Sequence, residues 1–255
     1  MHDLAEPAAY AALVAPAIDR VFAETMLAGR AMGGRELSER FGGPLATGYL
    51  VDLRTRLGAP GGVVTDAEFA AVRRYGDLAK ARELLIGQAE RGMVTLDDGI
   101  RATERGRAFI TEVYALHAKV TAELWAGHPV ERLAALAGRA LAVAQDPATW
   151  AHTTDGHSLA AMAPPFEPSG TPSGVLLLNR LGTLRYHRAD AHAAAWQAAG
   201  LTAAGIATMA GDAAGRTTIE EETNRGAAAP WRALTPAERL ELLAGLAALP
   251  AAPRL

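Results

Sequence analysis

"MVTLDDGIRAT", residues 93–103, is the place where this chain stops reading as helix. Two short apolar runs flank Asp97-Asp98-Gly99. An Asp-Gly step between such runs predicts a β-hairpin, because glycine takes the positive φ that a tight hairpin turn demands. Upstream, "TDAEFAAVRRYGD" (65–77) predicts a helix capped by Thr65 or Asp66, with Glu68 at capping-box spacing from Thr65. A tight turn at Gly76-Asp77 follows, then a second helix, "LAKARELLIGQAERG", apolar at Leu78, Leu85 and Ala89 and closed by Gly92. Downstream, "TERGRAFITEVYALHAKVTAELW" predicts a long helix with Thr103 as its cap. The expected order is helix, turn, helix, hairpin, helix.

Outside this block the chain reads as helices and one loop. Glu6-Pro7 opens a helix over 7–31, with Leu13, Ala17, Val21 and Met26 near one face and Gly33-Gly34 as its stop. "GRELSERFGG" is a short helix, and "PLATGYLVDLRTRLGAPGG" a third helix ending at Gly58. "AGHPVERLAALAGRALAVAQ" (126–145) is helical, and residues 146–174 are a long Pro-, Gly-, Ser- and Thr-rich loop with a short helix in it. One helix is expected over "VLLLNRLGTLRYHRADAHAAAWQAAG", with a soft point at Gly182. A short helix and a glycine-rich turn (201–215) precede two last helices, "RTTIEEETNRGAAAPWRAL" and "TPAERLELLAGLAAL". The latter has Thr235 as N-cap, Pro236 at N1 and Glu238 three positions on. The fold expected is mainly α, with one small β-hairpin. It divides into an N-terminal unit, 1–125, and a helical, ligand-binding unit, 126–255.

Composition narrows the functional classes. Half of the 255 residues are apolar and about a fifth are charged, which marks a folded chain with a sizeable core. Low aromatic and high alanine content favour closely packed helices over a sheet sandwich. The net charge of −3 provides no global basic field for nucleic acid or anionic membranes. The absence of cysteine removes disulfides, thiolate nucleophiles and cysteine-based metal centres, and fits the cytoplasm. The first twenty residues lack the positive region of a signal peptide, and no run approaches eighteen uninterrupted apolar residues. No membrane association is expected.

Two stretches carry resemblances. Ala89-Glu90-Arg91-Gly92-Met93-Val94 and Thr103-Glu104-Arg105-Gly106-Arg107, with the hairpin between them, resemble the winged helix of bacterial multiple-antibiotic-resistance-type regulators. The likeness covers about 50 residues. "LR-x-HR-x-D-x-H-x-A" at 184–193, followed by "AAGLTA" at 198–203, resembles a signature of an actinobacterial-type helix-turn-helix family. So does the later run Ile219-Glu220, Thr223-Asn224, Ala227, Pro230-Trp231 and Leu234. In that family a winged helix lies between the two motifs. Here the winged-helix pattern stands upstream, a rearranged order. The resemblances imply a winged-helix DNA-binding transcriptional regulator, a homodimer, with a helical domain that senses a small molecule. They supply no catalytic chemistry.

The residues offer a ligand site of their own. On a helix, Arg185, Arg188, His192 and Trp196 share one face, while His187 and Asp190 fall on the other. Asp190, three residues from His187, stands within reach to hold that imidazole in one tautomer. Two arginines and a histidine suit an anionic or aromatic small molecule, with Trp196 and Trp231 as apolar walls. The same groups also suit a polar clasp to Glu220, Glu221 or Glu222, which would set helix register. His187 and His192 lie about 140° apart around a helix, unlike an i, i+4 metal pair, so no metal or other cofactor is expected. "HTTDGHS" (152–158) brings His, Asp and Ser together without a nucleophile elbow and reads as a polar loop.

For DNA, the candidates are Lys80 and Arg82 at the start of the expected recognition helix and Arg101 on the wing. Against them, residues 66–117 hold eight Lys/Arg and nine Asp/Glu, a net of −1, and Asp97 and Asp98 sit at the wing tip. Two functions are therefore carried forward. One is a regulator that binds double-stranded DNA. The other is a winged-helix scaffold without DNA binding, with a small-molecule or catalytic pocket in the helical half. For pairing into a homodimer the candidates are the helices at 7–31 and 236–249.

Overall fold

Side-chain caps set many of the helix starts. The computed structural model describes residues 4–211 and 213–250, and among them the chain is mainly helical with one two-stranded antiparallel sheet. Helix α1 (Pro7–Gly29) begins where the Glu6 carboxylate accepts the Ala9 N–H at 2.6 Å. Pro16 inside it has no N–H to offer the Ala12 carbonyl. Gly33-Gly34 does not simply stop the chain as expected. A π-turn over Arg30–Gly34, with Gly33 at φ 125°, bends it directly into α2 (Arg35–Arg40). The single helix expected at 44–58 is broken at Leu53 into α3 (Pro44–Asp52) and α4 (Arg54–Leu57).

The central block has the expected order. α5 (Asp66–Val72) starts with the full Thr65/Glu68 capping box, and α6 (Leu78–Glu90) with Asp77 accepting from the Lys80 N–H. β1 (Val94–Thr95) and β2 (Arg101–Ala102) pair with Val94 opposite Ala102. Gly99 lies in the turn at φ 79°. A further bridge from Val64 to Ile100 ties the hairpin to the segment before α5. Thr103 then caps α7 (Glu104–Leu124) through the Gly106 N–H.

Two apolar clusters result. One joins α3 to α7 and the hairpin through Leu50, Leu53, Val64, Phe69, Leu85, Met93, Ile100 and Phe109. The other joins α8 (Val130–Ala144), α9 (Ser173–Ala198), α12 (Pro236–Ala248) and the 3₁₀ turn Ala229–Ala233. α1 packs in this second cluster through Tyr10, Val14, Ile18 and Val21, although it opens the chain. A small third cluster gathers Trp196, Ile206 of α10 (Ala203–Thr208) and Ile219 of α11 (Ala214–Gly226).

α9 is the common axis, packed by α1, α7, α8 and α11. It is unbroken at Gly182, where softness was expected. A Cβ there would stand 2.7 Å from the Phe22 ring, so the glycine serves close approach of α1. The apolar faces of α1 and α12, the helices expected to pair two copies, are occupied inside the chain. The long segment 146–172 holds one 3₁₀ turn, Pro147–Thr149. Among the described residues no helix is long and apolar enough to cross a membrane.

Candidate ligand-binding cleft

The polar residues of α9 point to different neighbours because successive helical positions turn by about 100°. Arg185 bonds Asp19 of α1 at 2.6 Å and lies over the Phe22 ring. Arg188 donates to Asn224 at 2.7 Å and to Glu220 at 3.2 Å, both on α11. His192 places Nε2 3.9 Å from Glu220 and Nδ1 2.8 Å from the Tyr75 hydroxyl. Of the three consecutive glutamates only Glu220 meets this stripe, while Glu222 pairs with Arg225 on the outer face.

Between α1, α9 and α11 these contacts leave a cleft of about 730 Å³, within the range of small-molecule sites. Ala11, Ala15, Ile18, Leu184, Pro230 and Trp231 give it an apolar side. Arg185, Arg188, Arg216, His192, Tyr75, Asn224, Asp19 and Glu220 give it a polar one. Among the described residues, three arginines line it against two carboxylates. Burial pushes the Arg188 guanidinium and the His192 imidazole down from their ordinary values, with Glu220 opposing both. His192 therefore enters the cleft neutral near pH 7. Arg216 is steadied by the Ile206 and Met209 carbonyls.

Five of the seven ligand residues expected from sequence line the cleft: Arg185, His187, Arg188, His192 and Trp231. Asp190 and Trp196 do not. Asp190 is buried and does not hold His187. Its carboxylate accepts the Ser158 N–H and hydroxyl at 2.9 and 2.7 Å, the Leu159 N–H at 2.9 Å, and Arg74 at 3.2 Å. It thereby clasps loop 146–172 and the α5–α6 turn to α9. Trp196 is buried beside Ile206 and Ile219 and donates to the Tyr75 hydroxyl at 3.1 Å. The His187 ring is buried, its Nε2 has no hydrogen-bond partner among the described residues, and desolvation pushes the imidazole down to about 4. A hydrogen bond to the Thr149 backbone only partly opposes that shift.

Sequence reasoning missed Tyr75, Arg216, Asp19 and the whole α1 wall. Tyr75 sits in a turn and carries no periodic signal. Asp19 and α1 come from the other end of the chain.

On the α6 and hairpin face two of the three expected cations, Arg82 and Arg101, are already engaged. Arg82 grips Asp66 with two hydrogen bonds, and Arg101 donates to the Gly61 carbonyl and stands 3.5 Å from Asp98. Lys80 is exposed on the first turn of α6. Ile86 and Leu96, also exposed, line a groove with Asp66, Arg82, Asp98 and Arg101.

In "HTTDGHS" the Ser158 hydroxyl bonds a carboxylate and not an imidazole, so no nucleophile–base pair forms. His157 packs on Trp150. Among the described residues no three His, Asp or Glu side chains come together as a metal site. No family model matches the chain, and neither the curated proteins nor the solved structures contain a match to it.

Proposed function

We propose that this protein binds an amphipathic carboxylate, a small anion with an apolar body, in the cleft between α1, α9 and α11. On this reading the winged-helix-like block of α5, α6, the hairpin and α7 acts as a scaffold that supplies part of the rim. The observation that carries the reading is the lining itself: three arginines over two carboxylates along one side, alanines and Trp231 along the other. A guanidinium held partly out of water attracts an anion more strongly than an exposed one, because less solvent screening competes. Glu220 occupies Arg188 as an internal carboxylate, the position a ligand carboxylate would share or take.

Calorimetric titration with 1-naphthoate, and with 1-naphthamide as its neutral counterpart, tests this. The acid is expected to bind at least tenfold tighter, and Arg188→Ala to remove most of that difference, since a hydrogen bond to a charged group contributes roughly 1.5–3 kcal/mol. Equal affinity for acid and amide, or no binding of either at millimolar concentration, would overturn it.

One observation favours a second reading, a homodimeric winged-helix regulator whose DNA affinity follows cleft occupancy. Arg74 and Tyr75, in the turn that leads into α6, are both hydrogen-bonded to α9. Fluorescence anisotropy with short duplexes in low salt decides it: absence of binding there leaves the scaffold reading.

A further inference from the structure

Tyr75 lies outside α9 and α11, yet its hydroxyl oxygen takes part in two hydrogen bonds to α9. The indole Nε1–H of Trp196 is a donor with no acceptor capacity. It points at the Tyr75 oxygen at 3.1 Å. The Tyr75 oxygen in turn stands 2.8 Å from His192 Nδ1. With the indole as one donor, the hydroxyl still has its own proton to offer the imidazole, the arrangement that leaves the oxygen with one donor and one acceptor. On the far side of the ring, Nε2 stands 3.9 Å from the Glu220 carboxylate. A lone pair there would face negative charge, whereas an N–H would be attracted to it. Both ends of the ring therefore select the same tautomer.

We infer that Tyr75, oriented by Trp196, is a positioning residue that fixes neutral His192 as its Nε2–H tautomer and so makes His192 a hydrogen-bond donor into the cleft beside Arg188. This deepens the carboxylate-binding reading and rests on it for the identity of the ligand, but not for the tautomer. Burial supports the assignment from both sides: it pushes the Tyr75 hydroxyl up, keeping its proton on oxygen, and the His192 imidazole down, keeping the ring neutral. A carboxylate head group would then meet a convergent set of donors: the Arg188 guanidinium and one N–H of fixed direction.

The test begins on the unaltered protein without ligand. Nitrogen-15 NMR of histidine-labelled protein at pH 7.5, with the His192 signal assigned by its loss in His192→Gln, reads the tautomer directly. Nε2–H is expected. In Tyr75→Phe the signal is expected to move toward a mixture of tautomers. 1-Naphthoate affinity should fall about tenfold there, and 1-naphthamide affinity less than threefold. In the His192→Gln background no imidazole tautomer remains to be fixed, so adding Tyr75→Phe to it should cost no further 1-naphthoate affinity. An Nδ1–H tautomer in the unaltered protein overturns the inference, as does an unchanged His192 signal in Tyr75→Phe. If 1-naphthoate fails to bind at all, the ligand reading falls, while the tautomer measurement still decides the role of Tyr75.

Discussion

Arg82 on α6 and Arg188 on α9 each reach one carboxylate, and water treats the two pairs differently. The Arg82–Asp66 side chains are 46 % and 70 % exposed, those of Arg188 and Glu220 26 % and 42 %. In the open, a close ion pair screens itself and solvent screens the rest, so Arg82 and Arg101 add little net field to the α6 face. Within the cleft, partial burial penalises each unpaired charge, and a third arginine raises the attraction for an anion. The same residue types thus make a quiet surface in one region and a receptive one in the other.

The largest expected effect concerns the side of α9 turned away from the cleft. Asp190→Ala removes a carboxylate that accepts four hydrogen bonds and leaves the buried Arg74 guanidinium without that partner. The loss should be about 3–5 kcal/mol, read from urea unfolding. A loss below about 1 kcal/mol would mean that this network behaves like the exposed α6 pair, and the contrast would collapse.

Next comes acid sensitivity. His187 titrates near 4 in the folded protein, against an ordinary value of 6.5. Between those values the unfolded chain binds a proton that the native state refuses, so stability falls as pH falls. The contribution of His187 is fully present above pH 6.5 and is lost progressively down to about pH 4. The loss totals about 3 kcal/mol at roughly 1.4 kcal/mol per unit. His117, pushed down chiefly by burial, has the same sign. Unfolding midpoints at pH 7 and 5 should differ clearly in the unaltered protein and less in His187→Gln. An unchanged pH slope in that variant would refute the assignment.

The smallest effects belong to the α6 face. Arg82→Ala should change stability by no more than about 1 kcal/mol. If α6 does read DNA, Asp66→Asn should strengthen binding by releasing Arg82. Removing Lys80 and Arg82 together should flatten the salt dependence by about one unit per lost contact. No response of DNA affinity to either change would leave α6 outside any DNA interface.

What could be read from the sequence was local. The capping boxes at Thr65/Glu68 and Thr235/Glu238, the Asp-Gly hairpin turn and the Arg185–Arg188–His192 stripe each depend on neighbours a few positions apart. The meeting of Arg188 with Glu220 followed from two helices with complementary charge. Other features depend on distant partners. Gly182 looked like a flexible point because Phe22, which fills its space, lies on another helix. Trp196 shares the phase of the cleft stripe, yet α10 and α11 cover it, and its indole serves Tyr75. The i, i+3 spacing points Asp190 to His187, but its carboxylate accepts backbone N–H groups from a loop that has no periodicity to announce it.

The placement of α1 among the last helices has a consequence for how the chain acquires its shape during synthesis. Arg20 donates to the Leu246 and Leu249 carbonyls, 226 and 229 positions away. Arg239 reaches the Leu4 and Ala5 carbonyls. α1 therefore leaves the ribosome well before α9, α11 and α12, the helices it packs against, whereas α3 to α7 contact one another soon after they emerge. Contacts of such long sequence separation are slow to close. Folding should accordingly be ordered, the hairpin block early and the cleft last. Until α9, α11 and α12 arrive, the apolar side of α1 stays open to chaperones or misassembly.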